Sequence, residues 1–148
     1  MDEKRLSFFH THTNKQLDIT YSRDGDYIVS ALAEIDKFLS DFRTGDVTRI
    51  DPKLLDFIYD IRKSLGSSGT FEVISAYRSP ATNEMLRERS GGVARNSQHL
   101  LGKAIDVRLD DVDLPKLRDV ALAMQRGGFG YYEKSNFVHV DTGRVRRW

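Results

Sequence analysis

Two short runs in this sequence place a polar side chain where a strand pattern asks for an apolar one. Ala104-Ile105-Asp106-Val107 carries an aspartate between β-branched neighbours, and Phe137-Val138-His139-Val140 repeats the arrangement with a histidine. Strand periodicity puts Ile105 and Val107 on one face and Ala104 with Asp106 on the other. A carboxylate in that setting is costly to bury unless it is paired or bound to a cation. Seven residues before Asp106 stands His99, in Ser97-Gln98-His99-Leu100-Leu101-Gly102, with the glycine permitting a tight turn into the strand. A catalytic zinc takes three protein ligands from His and carboxylate and keeps its fourth position for water. His99, Asp106 and His139 are the right types in the right number for one Zn2+ per chain. The structural alternative pairs Asp106 with an arginine such as Arg78 and makes His139 a satisfied core histidine.

Composition narrows the chemistry further. The 148 residues contain no cysteine, which removes disulfides, thiol catalysis and cysteine-based metal sites together. A formal charge of +1 gives no electrostatic reason to expect nucleic acid as a partner. No apolar run approaches a membrane span, and Met1-Asp2-Glu3-Lys4-Arg5 opens no signal-peptide core. The chain is therefore expected to be intracellular, or a mature form whose signal has been removed. Its length suits a single domain with a real hydrophobic core.

The pass along the chain supplies a scaffold. Leu6 to Tyr21 alternates loosely and holds the pair His10 and His12, which on a strand would share one face. With no third ligand near them in sequence, an exposed polar edge is the plainer reading. A first helix is predicted over about 27–42, with Asp26 as its cap and Gly45 after its end. A second begins at Asp51-Pro52, and a third at Ser79-Pro80 just after the strand Phe71 to Ala76. Arg78 thus falls where a strand ends and a helix begins, a common place for a side chain aimed into a cleft. A last helix opens at Pro115, and residues 129–132 and 137–140 read as a hairpin. The basic, aromatic tail Arg144-Val145-Arg146-Arg147-Trp148 closes the chain, a candidate interaction segment if no metal is involved.

Ser97-x-His99-x-x-Gly102-x-Ala104-x-Asp106, followed by His139, resembles the signature of the zinc peptidases that include D-Ala-D-Ala carboxypeptidases, lysostaphin-type enzymes and the hedgehog fold. The resemblance implies that His99, Asp106 and His139 bind zinc. Ser75-Ala76-Tyr77-Arg78-Ser79 resembles that family's upstream segment, which implies that Arg78 contacts a substrate carboxylate or the polarised carbonyl. Likeness to one branch, the periplasmic murein endopeptidases, covers nearly the whole chain, including His12-Thr13, Gly127 to Tyr132 and Phe137 to Gly143. It implies hydrolysis of peptide cross-links in peptidoglycan, stem peptides as the partner, and a periplasmic or otherwise extracytoplasmic location. In that branch the preferred bond joins two diaminopimelate residues directly.

The expected mechanism is metal-activated water attacking a polarised carbonyl. Ser97 and Gln98 are candidates for orienting ligands, with capping of the loop equally open to Ser97. Many relatives place a general base two or three residues before the second ligating histidine, where this chain has Phe137 and Asn136. Asp141, two residues after His139 on the same strand face, is the candidate catalytic carboxylate, as orienter of a ligand histidine ahead of base. Glu133, Tyr131 and Tyr132 are further candidates near the hairpin. Two other functions stay open at this level: a zinc-containing module that binds cell-wall peptide without cutting it, and a D,D-carboxypeptidase. The expected fold is α+β, a small antiparallel sheet with helices on one face and the zinc site on the open face. It forms a single monomeric domain over 1–148, with 1–66 as strand and helical cover and 70–148 as zinc-binding core.

Overall fold

Leu6, Phe8 and His10 turn one side of strand β1 (Glu3–His10) inward, and β2 (Gln16–Arg23) answers with Ile19 and Tyr21. The two pair antiparallel, with the two-residue β3 (Asp26–Tyr27) added at the sheet edge. A computed structural model describes residues 2–148 of the chain. Asp26 lies in β3, so it does not cap the first helix; α1 (Val29–Phe38) starts from Ile28 with no side-chain cap. The helix also stops short of Phe42, although Leu39 remains fully buried. Buried Asp41 accepts hydrogen bonds from the backbone N–H of Arg43 at 2.9 Å and of Ser79 at 2.8 Å, and this turns the chain. The apolar period continues past residue 38 while the backbone is diverted to support another loop.

Helix α2 (Pro52–Ser64) follows its sequence signal closely. The Asp51 carboxylate accepts from the Lys53 N–H at 3.0 Å, and Pro52 occupies the first turn, where its missing donor costs nothing. Then come β4 (Phe71–Ser75), α3 (Pro80–Arg89) capped by Ser79, a 3-10 turn (Gln98–Leu101), β5 (Ala104–Leu109) and α4 (Leu114–Met124). Strands β6 (Gly128–Tyr132), β7 (Phe137–Asp141) and the two-residue β8 (Arg146–Arg147) complete the chain.

Among the described residues, the eight strands join one sheet in the order β3-β2-β1-β4-β5-β7-β6-β8. The α+β class holds, but the sheet is neither small nor purely antiparallel. Strand β1 runs parallel to β4, because two helices lie between them in the chain and return it to the same end. Strand β8 runs parallel to β6 at the far edge. The remaining pairs are antiparallel.

The core lies on one face of this sheet. Leu6, Phe8, Phe71, Val73, Ile105, Val107, Val138 and Val140 meet Leu54, Ile58 and Ile61 of α2 and Leu117 and Ala121 of α4. Each large side chain buried there contributes roughly 1.5–3 kcal/mol, so this face anchors the central strands rigidly. The same pleat turns Ala104, Asp106 and His139 to the other face. Gly102, at φ 69°, joins the 3-10 turn to β5, and a Cβ there would collide with the Arg49 carbonyl. Its own carbonyl accepts from the Asp51 N–H at 2.9 Å, tying the start of α2 to the loop that carries His99.

Candidate metal centre

Asp106 and His139 are directly opposite one another in the antiparallel pairing of β5 with β7. Their side chains therefore leave the sheet side by side. His99 reaches the same point from the 3-10 turn, which Ser97 caps by accepting from the His99 N–H at 3.1 Å. Ser97 thus takes the loop-capping role. All three side chains are buried. Nε2 of His99 is 3.2 Å, and Nδ1 of His139 2.9 Å, from the same carboxylate oxygen, Oδ1 of Asp106.

The outward nitrogens of both imidazoles are engaged. Nδ1 of His99 lies 2.6 Å from the Ala76 carbonyl, which can only accept, so this nitrogen is the donor and Nε2 is left with a lone pair. Nε2 of His139 lies 2.7 Å from Oδ2 of Asp141 in the same way, leaving Nδ1 to face Asp106. Two imidazole lone pairs and a carboxylate oxygen converging at one point, each imidazole held from behind, is the donor set of a mononuclear site. One ligand atom from each residue lies within 4.8 Å of the others. The residues fit a metal ion.

Electrostatics agree with the geometry. Burial alone would raise the pKa of Asp106, but the adjoining imidazoles of His99 and His139 hold it well below the usual carboxylate range. Burial lowers the pKa of His99 and outweighs the attraction of Asp106. At His139 burial, which lowers the pKa, is overcome by the two adjoining carboxylates, Asp106 and Asp141, and the pKa is raised. The trio is an anionic carboxylate flanked by imidazoles, a pocket that favours a cation.

Arg78 is placed by three consecutive backbone donors. Tyr77 N–H reaches the Leu39 carbonyl at 3.2 Å, Arg78 N–H the His99 carbonyl at 3.2 Å, and Ser79 N–H the Asp41 carboxylate at 2.8 Å. The truncated end of α1 is thus what fixes the Arg78 loop. The Arg78 guanidinium stands 3.6 Å from Oδ2 of Asp106, so the ion pair read from sequence and the histidine cluster exist together. Its Nε is buried without a partner among the described residues.

These groups line a cleft of about 490 Å³. One wall is the polar loop from Ser90 through Gln98, and the other is Tyr132, Phe137, Arg146 and Trp148. Asp106 is the only carboxylate lining the cleft among the described residues. Glu133 stands exposed in the hairpin turn and Tyr131 packs beside Arg118, so neither faces the centre. Asp141 is fully buried beneath His139, with both oxygens occupied. His10 and His12 do not form a site: His10 is buried at the end of β1, not an exposed edge, and His12 stacks on Phe42 with ring centroids 4.1 Å apart.

Arg146 and Trp148 were not legible as site residues. A signal existed in Gly127-Gly128-Phe129-Gly130, because glycines inside a strand often mark close approach of another group. A Cβ at Gly130 would collide with the Trp148 indole.

Fold and site together define a class: an α+β protein with a buried His-Asp-His group, able to hold a metal ion, at a cleft of about 490 Å³. A family model described as peptidoglycan L,D-endopeptidase MepK matches residues 1–148, and the chain belongs to that peptidase family. It is 40% identical over 143 residues to the peptidoglycan L,D-endopeptidase MepK of Escherichia coli, covering 97% of this chain and 79% of the relative. It is 42% identical over 144 residues to a protein of Haemophilus influenzae named "Probable peptidoglycan L,D-endopeptidase MepK", covering 97% and 77%. No solved structure matches the chain.

Proposed function

We propose that this chain is a zinc-dependent murein endopeptidase that hydrolyses peptide cross-links in peptidoglycan, with His99, Asp106 and His139 holding the zinc. The observation that carries this reading is the convergence of Nε2 of His99, Oδ1 of Asp106 and Nδ1 of His139 at the floor of the cleft. Its membership of an endopeptidase family gives that convergence a reaction. The relatives' names specify an L,D bond, and we carry that bond type over to this chain. The proposal extends to an extracytoplasmic monomer. Among the described residues no helix is long and apolar enough to cross a membrane, which is compatible with that location.

Bound zinc supplies Lewis acidity toward the scissile carbonyl and a water acidic enough to attack near neutral pH. The remaining work falls to the chain. Arg78 presents a fixed positive charge beside the centre, suited to a stem-peptide carboxylate or to the oxygen that gains charge in the transition state. The Ala76 carbonyl and Asp141 hold the two imidazoles in the orientation that aims their lone pairs inward. Asp141 has no free oxygen facing the cleft, so its role in this reading is to position His139 rather than to move a proton. Tyr132 and Trp148 form a wall against which a peptide backbone can lie.

Mass spectrometry of muropeptides after digestion of purified peptidoglycan with zinc-loaded protein tests the reading. Cross-linked dimers converted to monomers by cleavage at an L,D bond is the expected result. Loss of terminal D-Ala alone would reassign the protein as a carboxypeptidase. Intact dimers with retained muropeptide binding would make it a binding module.

A further inference from the structure

We propose that the C-terminal strand is a clasp on the metal centre and that Arg146 is a positioning residue for metal binding, acting through Asp141 on His139. This rests on the reading of His139 as a metal ligand. Arg146 meets Asp141 as a fork: Nη1 lies 3.0 Å from Oδ1 and Nη2 lies 2.9 Å from Oδ2. Oδ1 also accepts from the N–H of Gly128 at 3.0 Å and of Gly143 at 2.9 Å, while Oδ2 accepts from Nε2 of His139 at 2.7 Å. Asp141 has no solvent exposure at all. A carboxylate so buried needs a cation beside it, and Arg146 supplies it at 2.9 Å.

The consequence is directional. With two parallel N–H bonds from Arg146, the Asp141 carboxylate is fixed in plane and remains an acceptor toward His139. That keeps the proton of His139 on Nε2 and the lone pair of Nδ1 aimed at the point where His99 and Asp106 converge. Without Arg146, the carboxylate would keep the Gly128 and Gly143 N–H donors on Oδ1 but lose its charge partner and the second donor on Oδ2, the oxygen that faces His139.

A second, independent observation shows that the fold makes room for this strand. A Cβ at Gly128 would collide with the Arg146 guanidinium and the Asp141 carboxylate, and one at Gly130 would collide with Trp148. The backbone then locks in place: Trp148 N–H donates to the Phe129 carbonyl and Tyr131 N–H to the Trp148 carbonyl, each at 3.0 Å. Trp148 lies against both partners, its ring centroid 5.1 Å from the Arg146 guanidinium carbon and 5.1 Å from the His139 ring.

Zinc affinity, measured by competition with a chromophoric chelator, tests the clasp without reference to peptidase activity. Arg146→Ala is expected to weaken zinc binding by roughly 10–100-fold. Arg146→Lys should fall between it and the wild type, since an ammonium restores charge but not two parallel N–H bonds. The metal-free thermal midpoints separate this from a general loss of structure: the affinity loss should exceed the fraction unfolded at the assay temperature. Wild-type affinity in folded Arg146→Ala overturns the inference, as does a loss matching the unfolded fraction alone. Should the alanine variant not fold, wild-type affinity in Arg146→Lys overturns it equally. Absence of zinc binding by the wild type would sink the metal reading and this inference together. Wild-type binding with indifferent variants sinks only this one.

Discussion

The Arg78 guanidinium stands 3.6 Å from Oδ2 of Asp106, while Oδ1 of the same carboxylate faces the two imidazoles. One carboxylate therefore links the two imidazoles on one side to a fixed cation on the other. The arrangement lets a positive charge sit beside the proposed metal centre without being repelled from the fold. Arg78→Ala should lower kcat/KM on a cross-linked muropeptide by about 10²–10³-fold, the scale seen when one donor to a developing oxyanion is removed. Zinc content should stay near one per chain. Arg78→Lys should recover only part of the loss, because a point charge does not reproduce the planar fork. Steady-state kinetics with zinc quantified on the same sample decides it; an alanine variant of undiminished kcat/KM removes Arg78 from the mechanism.

Removal of the metal should abolish hydrolysis and lower thermal stability together. A ligand that binds only the folded state stabilises it by RT ln(1 + [L]/Kd), about 4 kcal/mol when free metal is a thousandfold above Kd. Chelation should therefore depress the thermal midpoint of the wild type. His99→Ala and Asp106→Ala should show little response to added zinc or to chelator. Differential scanning calorimetry with and without zinc reads this directly. A midpoint indifferent to zinc in the wild type contradicts the metal site.

Trp148 is half exposed, and its indole N–H donates to the Tyr132 hydroxyl at 2.7 Å. A rigid aromatic surface held this way suits contact with substrate more than core packing. Trp148→Ala should raise KM roughly 3–10-fold, about 1 kcal/mol of lost contact, with a smaller effect on kcat. Trp148→Phe should restore most of it. Equal losses in kcat and kcat/KM would instead assign Trp148 to the transition state.

The folded protein should lose stability in mild acid through His10, a residue outside the His99-Asp106-His139 group. Burial, with repulsion from His12 added, lowers the pKa of His10 to about 4 from an ordinary 6.5. The native state thus resists a proton that the unfolded chain accepts. The contribution is fully present above about pH 6.5 and is lost as pH falls toward 4, on the order of 3 kcal/mol from the shift. His10→Phe, which keeps the aromatic contacts with Phe38 and Phe42, should flatten the dependence of unfolding free energy on pH between 4 and 6.5. An unchanged slope in urea titrations across that range counts against His10 as its source.

Much of the site could be read from the chain because its signals are local. Asp51-Pro52 and Ser79-Pro80 mark helix starts by side-chain chemistry, and the structure shows both carboxylate and hydroxyl accepting from the first turn. Asp106 and His139 stood out as polar residues in apolar strands, although the hairpin pattern pairs 137–140 with 129–132 and says nothing of the pairing with β5 that sets them side by side. What could not be read is non-local. Alternation in β1 says which side is buried but not that its neighbour is β4, nor that the pair is parallel. The end of α1 was missed because Asp41 is claimed by Ser79, far along the chain. Strand β8 has only two residues and no propensity signal; Arg146 and the glycines of β6 hold it.

The pairing of Asp106 with His139 across β5 and β7 has a further meaning for how the protein matures. Side chains on neighbouring positions of a strand point to opposite faces, so a slip of one residue would send one of these two donors into the apolar core. His99 cannot compensate, since it is fixed to Ala76 from a different element. A polypeptide with near-native secondary structure but misaligned central strands would have no affinity for the metal. If the site holds the proposed zinc, the ion would in effect proofread strand alignment, binding only chains that have already assembled correctly and then holding them there.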